Sequence, residues 1–405
     1  MPPYLIASEI AMTKALPIEV RASRGHLLGM PVAQFLKHYW QKHPLLIREA
    51  FPDFESPVSP NDLAGLALEP LALARIVTHD RKKDQWKLES GPFPEKRFAR
   101  TGKKDWTLLV QDVDKWDPDI AALLEHFRFL PRWRIDDIMI SYAVAGGSVG
   151  AHVDQYDVFL LQGMGHRRWQ IDVDPNCPRD FRDDVELKLL KEFWPTHDWV
   201  LGPGDMLYLP PNVPHHGVAE DECLTISVGM RAPAIHEMLG DLADSFAEKL
   251  SEDQRLVDPD LRAANDPYDI DAAAIKRVRH SLAPLLALDD AALGNWFASF
   301  ITRYRAAQEP AAPPRPLSLT QLGDRLNKQH LLTLHPYARM ARLNRGRNAQ
   351  VVIAGQTIDT DAEVYALLRE RAVRGADWTR LNQVQRDLLH HLYRQGLMVL
   401  ARDQR

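Results

Sequence analysis

The sequence predicts an α+β protein built from a double-stranded β-helix (jelly-roll), a helical block and a C-terminal winged-helix-like domain. From residue 131 onward, short apolar stretches alternate with Gly/Pro turns and show no helical pattern, which is typical of an antiparallel sandwich or barrel. Residues 236–308 switch to apolar residues at helical spacing. Residues 317–405 then run helix, strand, turn, strand, helix, helix, strand, an order that suits a winged helix.

The jelly-roll strands are predicted from runs of β-branched and apolar residues that end at turn residues. They are Ile138–Val144, Val158–Gln162, Arg168–Val173, Met206–Leu209 and Leu224–Met230. The region before them is predicted to be mixed, with a helix over 35–40 and strands over 44–47 and 106–110.

The domain boundaries follow from these changes of pattern. We predict a catalytic jelly-roll with its N-terminal elements over 1–235 and a helical block over 236–308. The proline-rich residues 309–316 form the predicted linker, and the winged-helix-like domain occupies 317–405.

The composition limits the function. The chain has 405 residues, 45% of them hydrophobic and 26% charged, which is ordinary for a globular protein. A net charge of −5 argues against a protein that coats nucleic acid through bulk charge. The two cysteines exclude a disulfide framework and a cysteine zinc site, so any metal must be held by histidine and carboxylate. The sequence shows neither an apolar run of the roughly 18–20 residues that span a bilayer nor a signal-peptide pattern, so we predict a cytoplasmic protein without a membrane association.

The chemistry is indicated by an HxD triplet after a glycine. In a strand, residues i and i+2 project from one face, so His152 and Asp154 are predicted to point the same way. One imidazole and one carboxylate are two parts of a 2-His-1-carboxylate triad, which holds iron(II) on one side and leaves three positions open. A chelating 2-oxo acid and dioxygen would fill those positions.

A third ligand is indicated by the segment 202–215, in which a tight turn, a strand and a proline-rich loop lead to a pair of histidines. Strand alternation allows only one of His215 and His216 to face inward.

An arginine is predicted to bind the far carboxylate of the 2-oxo acid. Arginine matches a carboxylate bidentately, and alternation places Arg167 and Trp169 on one face and Arg168 on the other. We assign Arg167 this role; the alternative is a surface arginine that pairs with Asp172 or Asp174.

Several segments resemble the bacterial ribosomal oxygenases, which belong to the JmjC group of cupin-fold 2-oxoglutarate oxygenases. The resemblance covers nearly the whole chain. It is carried by HVDQYDVFLLQGMGHRRW at 152–169, PGDMLYLPPNVPHHG at 203–217, PRWRIDD at 131–137, LKHYWQKHPLLIREAFP at 36–52 and WTLLVQDVDKW at 106–116.

The resemblance implies hydroxylation of an arginine side chain on a large-subunit ribosomal protein, with conversion of 2-oxoglutarate to succinate and carbon dioxide. It implies iron(II) at His152, Asp154 and His215, and it therefore selects His215 over His216. The matching positions for polar contacts to the cosubstrate are Ser141 and Thr225, although Thr225 stands where an asparagine is expected.

The resemblance also implies a homodimer formed through residues 236–308 and a winged helix that does not bind DNA. Residues that follow the HxD triplet are candidates for lining the substrate entrance, with strand packing and a solvated acidic edge as the alternative: Gln155, Tyr156 and Asp157. The acidic clusters at 112–114 and 117–119 are expected to form a solvated face, with steering of a cationic substrate as the alternative.

Three other functions are compatible with parts of the sequence. A cupin sensor joined to a DNA-binding winged helix would use Arg342, Arg345 and Arg347 as phosphate contacts. A small-molecule metal cupin would be expected to use three histidines and a glutamate, which is not the pattern here. A JmjC hydroxylase or demethylase that acts on another protein would share the same chemistry.

Overall fold

The computed structural model describes residues 16–259, 261, 270–286, 288–305, 307–345 and 348–403. The chain divides into two compact units, one ending at Ala232 and the other beginning at Pro233.

The first unit contains the predicted β-rich region. Its strands are β1 (Glu19–Arg21), β2 (Leu45–Arg48), β3 (Ala74–Asp80), β4 (Gln85–Ser90), β5 (Trp106–Val110), β6 (Ile135–Ala143), β7 (Val158–Met164), β8 (Arg167–Ile171), β9 (His197–Leu201), β10 (Met206–Leu209), β11 (His215–Ala219) and β12 (Cys223–Met230). Its α-helices are α1 (Val32–His38), α2 (Pro60–Leu66), α3 (Val113–Trp116) and α4 (Pro118–Ala122).

These strands form the two layers of a jelly-roll. Within the described residues, the larger sheet has nine strands in the order β1-β2-β10-β7-β12-β6-β5-β3-β4, and the smaller has three in the order β11-β8-β9. One apolar cluster joins the layers, because it contains Leu160 and Leu207 of the larger sheet together with Trp169 and Leu201 of the smaller. The predicted jelly-roll is therefore confirmed.

The larger sheet is covered by a different core on its outer face. Alternation along β6 turns Ile138 and Ile140 to this outer core, which also contains Phe35 of α1 and Leu63 of α2. Helix α2 begins at a capping box in which Ser59 accepts a hydrogen bond from the Asp62 N–H and Asp62 accepts one from Ser59. The N-terminal region thus packs on the outer face of the larger sheet, so the inner face remains available for a functional site.

The predicted strands appear close to their expected positions. The strand predicted over 138–144 begins earlier, at Ile135, and the one predicted over 168–173 lies at Arg167–Ile171. The hairpin formed by β3 and β4, and strand β9, were not predicted. Both are amphipathic and contain charged residues, so their apolar runs are short.

The second unit contains helices and small sheets. Its helices are α5 (Ile235–Ala247), α6 (Ala272–Leu286), α7 (Asp290–Arg303), α8 (Leu319–Leu326), α9 (Ala362–Glu370), α10 (Gly375–Arg380) and α11 (Gln383–Arg394). Its strands are β13 (His330–Leu334), β14 (Met340–Arg345), β15 (Asn348–Ile353), β16 (Gln356–Thr360) and β17 (Met398–Arg402).

From α8 onward the second unit has the predicted winged-helix character, with one apolar core that includes Leu322, Val351 and Leu389. The predicted order is wrong in detail, because among the described residues four strands rather than two follow α8, and three helices rather than two precede the final strand. Helix α7 docks on this part, since Ser299 donates a hydrogen bond to the Gly355 carbonyl and the Gly355 N–H donates to Thr302. Arg347 lies outside the described residues.

No helix among the described residues is long and apolar enough to cross a membrane. Cys177 and Cys223 are both free thiols.

Candidate active site

The three side chains predicted to bind a metal lie close together in the jelly-roll. His152, Asp154 and His215 each offer one ligand atom, and these atoms lie within 4.8 Å of one another. The Asp154 carboxylate is 4.0 Å from His152 Nε2 and 3.7 Å from His215 Nε2. Two imidazole nitrogens and one carboxylate therefore converge on one point.

The hydrogen bonds of the two imidazoles fix which ring nitrogen is free. Nδ1 of His152 lies 3.0 Å from the Gly150 carbonyl, and Nδ1 of His215 lies 2.9 Å from the Val213 carbonyl. A carbonyl can only accept, so each Nδ1 carries the proton and donates it. Both Nε2 lone pairs are then available to a cation, in the orientation that metal-binding histidines use.

The backbone brings the ligands together through one cross-strand pair. His152 and His215 exchange two hydrogen bonds, of 3.0 and 2.9 Å, in an isolated antiparallel bridge. Asp154 lies beyond this bridge in a loop, where its carbonyl accepts a 2.7 Å hydrogen bond from the Asn212 N–H. The prediction that alternation within a continuous strand aligns His152 and Asp154 is therefore wrong, although the two side chains do meet.

The two adjacent histidines have different surroundings. His215 is 2% exposed, and burial together with the nearby His152 lowers its pKa to about 4. It is therefore neutral near pH 7, as a metal ligand must be. His216 lies on the other face of β11, against the ring of Phe193, and is outside the ligand cluster.

A buried arginine lies on the same inner surface. Arg167 is 3% exposed, and its guanidinium donates to Ser141 Oγ at 3.2 Å, to Thr225 Oγ1 at 3.4 Å and to the Gly217 carbonyl at 3.3 Å. Its Nε is buried without a hydrogen-bond partner in the described part of the chain. Burial lowers the pKa of this guanidinium, which still remains charged because arginine cannot lose its proton in a protein. The site thus holds a desolvated cation with an unused donor.

The strand register explains how these contacts arise. Thr225 lies opposite Ser141 on β6 and opposite Gln162 on β7, so the three polar side chains form one row across the larger sheet. Thr225 donates to Gln162 at 3.1 Å. Arg167 reaches this row from the smaller sheet, whereas Arg168 points outward to Asp198 and Glu220. The alternation predicted for Arg167 and Arg168 is confirmed.

Glycine is required opposite the arginine. A Cβ at Gly217 would lie 2.7 Å from the Trp169 ring and 2.8 Å from Arg167 Nε. The Arg167 guanidinium lies 5.2 Å from the centre of that ring, which makes a cation–π contact. The absence of a side chain at 217 lets the indole and the guanidinium share this space.

The three residues after the metal triplet have different roles. Tyr156 is 40% exposed and has its hydroxyl beside Asp154; desolvation of the hydroxyl and the charge of Asp154 raise its pKa. Gln155 is exposed and donates to Asn212 at 2.9 Å. Asp157 is completely buried, and Tyr208, Gln41 and Arg134 donate to it. The interpretation of Asp157 as part of the substrate entrance is wrong, because its side chain has no exposed surface.

An acidic cluster beside the site includes Asp137, which was not identified from the sequence as functional. Asp112 and Asp114 are buried and pair with Lys115, so the prediction of a solvated face at 112–114 is wrong. Asp137 accepts from the Asp112 N–H at 3.1 Å. Burial and the neighbouring carboxylates of Asp136, Asp112 and Asp114 raise the pKa of Asp137 to about 7. A cation would therefore be stabilised at this carboxyl.

The location of Asp137 could have been inferred from alternation. It precedes Ser141 by four residues on β6, so both side chains belong to the inner face of the sheet. The Tyr156 hydroxyl is near both the predicted metal ligand Asp154 and the acidic cluster around Asp137, because the charges of both carboxylates raise its pKa.

The arrangement is suited to holding a divalent ion on one side and leaving its other side accessible. Two neutral nitrogens and one carboxylate form the facial triad of non-haem iron(II) oxygenases. A jelly-roll that presents this triad beside a buried arginine defines a JmjC-type oxygenase domain.

Comparison with protein families agrees with this class. Residues 122–238 match the JmjC domain family, residues 281–398 match the ROXA-like winged helix, and residues 196–323 match the AraC-like ligand binding domain.

Individual relatives are more specific. The chain is 35% identical over 330 residues to the ribosomal protein uL16 3-hydroxylase of Escherichia coli, covering 80% of this chain and 85% of that protein. It is 40% identical over 228 residues to a probable ribosomal oxygenase of Haemophilus influenzae, covering 56% of this chain and 54% of that protein.

Solved structures show the same likeness. The X-ray structure of E. coli YcfD has a TM-score of 0.81 and 32% identity, with 92% of this chain and 99% of that chain covered. YcfD in complex with cobalt and 2-oxoglutarate has a TM-score of 0.77, with the same identity and coverage. The chain belongs to the bacterial ribosomal oxygenases of the JmjC family, and its enzyme class is that of the 2-oxoglutarate-dependent dioxygenases.

Proposed function

We propose that this protein uses iron(II), 2-oxoglutarate and dioxygen to hydroxylate an arginine side chain of the large-subunit ribosomal protein uL16, and that succinate and carbon dioxide are the co-products. The observation that carries this proposal is the convergence of His152, Asp154 and His215 beside the buried guanidinium of Arg167. The substrate is proposed from the relative named as a uL16 3-hydroxylase.

The three converging side chains would hold the iron. Their donor set fits a ferrous ion, because both imidazoles are oriented with Nε2 free and the aspartate supplies a negative charge. When bound, the iron supplies the activation of dioxygen. The protein keeps the two rings fixed through their carbonyl partners, so the ligand geometry is organised before the ion arrives.

Arg167 would bind the far carboxylate of 2-oxoglutarate. Its buried Nε has no acceptor in the described part of the chain, and a carboxylate would provide one. Ser141 and Thr225 hold the guanidinium in place by accepting from it. The hydroxyl proton of Ser141 is available to the same carboxylate, whereas Thr225 donates its proton to Gln162. The apolar residues Val158, Leu160 and Trp169 of the core between the sheets would exclude water from this end of the pocket.

Asp137 and Tyr156 are the residues we propose for recognition of the substrate. The negative surroundings of Asp137 favour a guanidinium there, since a bound cation would lower the cost of its charge. The Tyr156 hydroxyl is close enough to this carboxyl and to Asp154 for both charges to raise its pKa, and part of the Tyr156 surface is accessible to a substrate. Gln155, which is exposed next to it, would contact the peptide backbone.

The experiment is mass spectrometry of ribosomal proteins from cells with and without the gene, followed by hydroxylation of a uL16 peptide by the purified enzyme. A gain of about 16 Da, one oxygen atom, on an arginine of uL16 is expected only when the enzyme is present. The control is the Asp154→Ala variant, which lacks one proposed ligand. Equal masses in both cell samples would refute the ribosomal substrate, and turnover of a peptide with lysine at the target position would refute arginine specificity.

We also propose that the helical block 236–308 forms a homodimer. Helices α5, α6 and α7 carry large apolar side chains that are exposed in the single chain: Ile235, Leu239, Ile275, Val278, Leu282 and Leu293. Such a concentration on a folded surface is typical of an interface. Sedimentation of the protein as a monomer at micromolar concentration would contradict it, and a Leu239→Glu variant is expected to dissociate the dimer.

The absence of direct DNA binding and the cytoplasmic location remain predictions. Arg342, one of the residues considered for phosphate contacts, has its guanidinium 4.3 Å from the ring centre of Tyr365. This intramolecular stacking gives it a structural role in the winged helix.

A further inference from the structure

We propose that Asp157 is a positioning residue for the metal centre, which anchors the loop that carries Asp154 and Tyr156 to the N-terminal part of the chain. The inference rests on the proposed function of Asp154 as a metal ligand. It assigns Asp157 a different role from the substrate contact that its sequence position indicates.

The Asp157 carboxylate is buried and has donors on both oxygens. It has no exposed surface, and it accepts from Tyr208 at 2.7 Å, from Gln41 Nε2 at 2.9 Å and from Arg134 at 3.2 Å. A buried carboxylate is stable only when it is paired and hydrogen bonded, and here all three donors come from distant parts of the sequence. This carboxylate therefore fixes where several elements meet.

The donors are themselves tied to the segment that follows α1. The Gln41 N–H donates to the Tyr208 hydroxyl at 2.8 Å, so Tyr208 relays between this backbone and Asp157. Trp40 stacks on Tyr208 with ring centres 5.9 Å apart, and the Arg134 guanidinium lies 5.7 Å from the Trp40 ring. Trp40 thus packs against two of the donors to Asp157, Tyr208 and Arg134, and Gln41 binds both Tyr208 and Asp157.

The loop from 153 to 157 has no regular secondary structure, so its position is fixed by individual hydrogen bonds to other parts of the chain. At its start, the Asp154 carbonyl accepts from Asn212 at 2.7 Å, and at its end the Asp157 carbonyl accepts from Met230 at 3.0 Å. The Asp157 side chain is the link from this loop to the N-terminal segment. Since Asp154 lies three residues before it, loss of the Asp157 contacts would let the ligand carboxylate move away from the two imidazoles.

The test compares two variants with a matched control, all as full-length protein. Asp157→Asn removes the charge, and Tyr208→Phe removes one donor while the other two remain. The control is Asp205→Asn, since Asp205 is also a largely buried carboxylate with three donors, namely Arg48, the Glu49 N–H and the Gly202 N–H. It lies just before β10, away from the 153–157 loop.

Two measurements are needed: calorimetric titration of metal-free protein with Co²⁺, and hydrogen exchange of peptides that cover residues 150–160. We expect Asp157→Asn to bind Co²⁺ about 10–100-fold more weakly, the usual effect of residues that support a metal ligand, and Tyr208→Phe several-fold more weakly. Exchange of the loop should become faster in both. Asp205→Asn should keep the wild-type affinity and loop exchange even if it lowers thermal stability.

Unchanged Co²⁺ affinity and unchanged loop exchange in both variants would overturn the inference. If Asp157→Asn does not fold, Tyr208→Phe decides the question. Failure of the wild-type protein to bind Co²⁺ would refute the proposed metal site, and the exchange data would then still decide whether Asp157 anchors the loop.

Discussion

His152 and His215 are direct cross-strand partners that exchange both of their backbone hydrogen bonds. Because of this pairing, the register of β11 decides which histidine side chain faces the metal centre. A slip of one residue would replace His215 by His216 at the site, because successive side chains point to opposite faces.

This relationship gives a prediction about the two adjacent histidines. His215→Ala is expected to weaken Co²⁺ binding by more than about 100-fold, the upper end for residues that only support a ligand, because one of three ligands is lost. His216→Ala should bind Co²⁺ within a few-fold of wild type. Calorimetric titration of the metal-free proteins measures both, and the reverse order of effects would assign the ligand to His216.

The role of Arg167 can be tested against its exposed neighbour. Arg167→Met is expected to raise the KM for 2-oxoglutarate by roughly 10–100-fold, since hydrogen bonds to a charged group contribute about 1.5–3 kcal/mol. Arg168→Met removes a surface guanidinium that pairs with Asp198 and Glu220, and it should leave this KM unchanged. Steady-state assays of succinate formation are the measurement; equal KM values for wild type and Arg167→Met would show that the cosubstrate binds elsewhere.

Gly217→Ala should damage the cosubstrate pocket without removing a functional group. The added methyl would meet both the Trp169 ring and Arg167 Nε at less than 3 Å, so the guanidinium has to move. We expect a higher KM for 2-oxoglutarate and a lower melting temperature. Gly240→Ala is the matched control, because a Cβ at that helical position would meet no heavy atom of the described residues within 4 Å beyond its chain neighbours and its own helix backbone. A Gly217→Ala enzyme with the wild-type KM would contradict this packing argument.

The stability of the first unit should depend on the protonation of Asp137. Its folded-state pKa of about 7 lies above the ordinary value of 3.8, so the folded protein holds the proton more tightly than the unfolded chain. The resulting stabilisation is fully present below pH 3.8 and is lost as the pH rises through about 7, at roughly 1.4 kcal/mol per pKa unit.

Asp137→Asn should remove this dependence, since its amide oxygen can still accept from the Asp112 N–H. At pH 8 the variant is expected to have the higher urea midpoint, and the difference from wild type should disappear near pH 4. Parallel curves for the two proteins between pH 4 and 8 would show that the Asp137 charge is not the cause. The variant should also hydroxylate the arginine substrate more slowly, because it lacks the proposed partner of the guanidinium.

Much of the jelly-roll could be predicted because its strands have a period that can be read locally. Strand alternation alone predicted that Arg167 and Arg168 point to opposite faces of the sheet. The proline-rich loop predicted a histidine at the start of the next strand. The metal triplet was harder to interpret, because His152 lies in an isolated bridge and Asp154 lies in a loop. These two residues converge because of partners about 60 residues away in the sequence rather than through local alternation.

The burial of acidic residues could not be predicted from composition. Asp114 accepts from the Ile138 N–H and pairs with Lys115, and only the tertiary structure brings these groups together. Asp157 is similar, since its donors belong to three separate segments. Local sequence shows that such residues are charged, whereas their burial depends on long-range pairing.

The position of β2 has a consequence for synthesis of the chain. Its residues Leu45, Leu46 and Ile47 are completely buried, and its antiparallel partner is β10, at Met206–Leu209. A ribosome must therefore extend the polypeptide by about 160 residues before this apolar edge can be covered, and long-range strand pairing of this kind forms slowly. Until then the apolar residues of β2 are exposed in the nascent chain. A molecular chaperone that binds extended apolar segments would therefore bind within the first fifty residues.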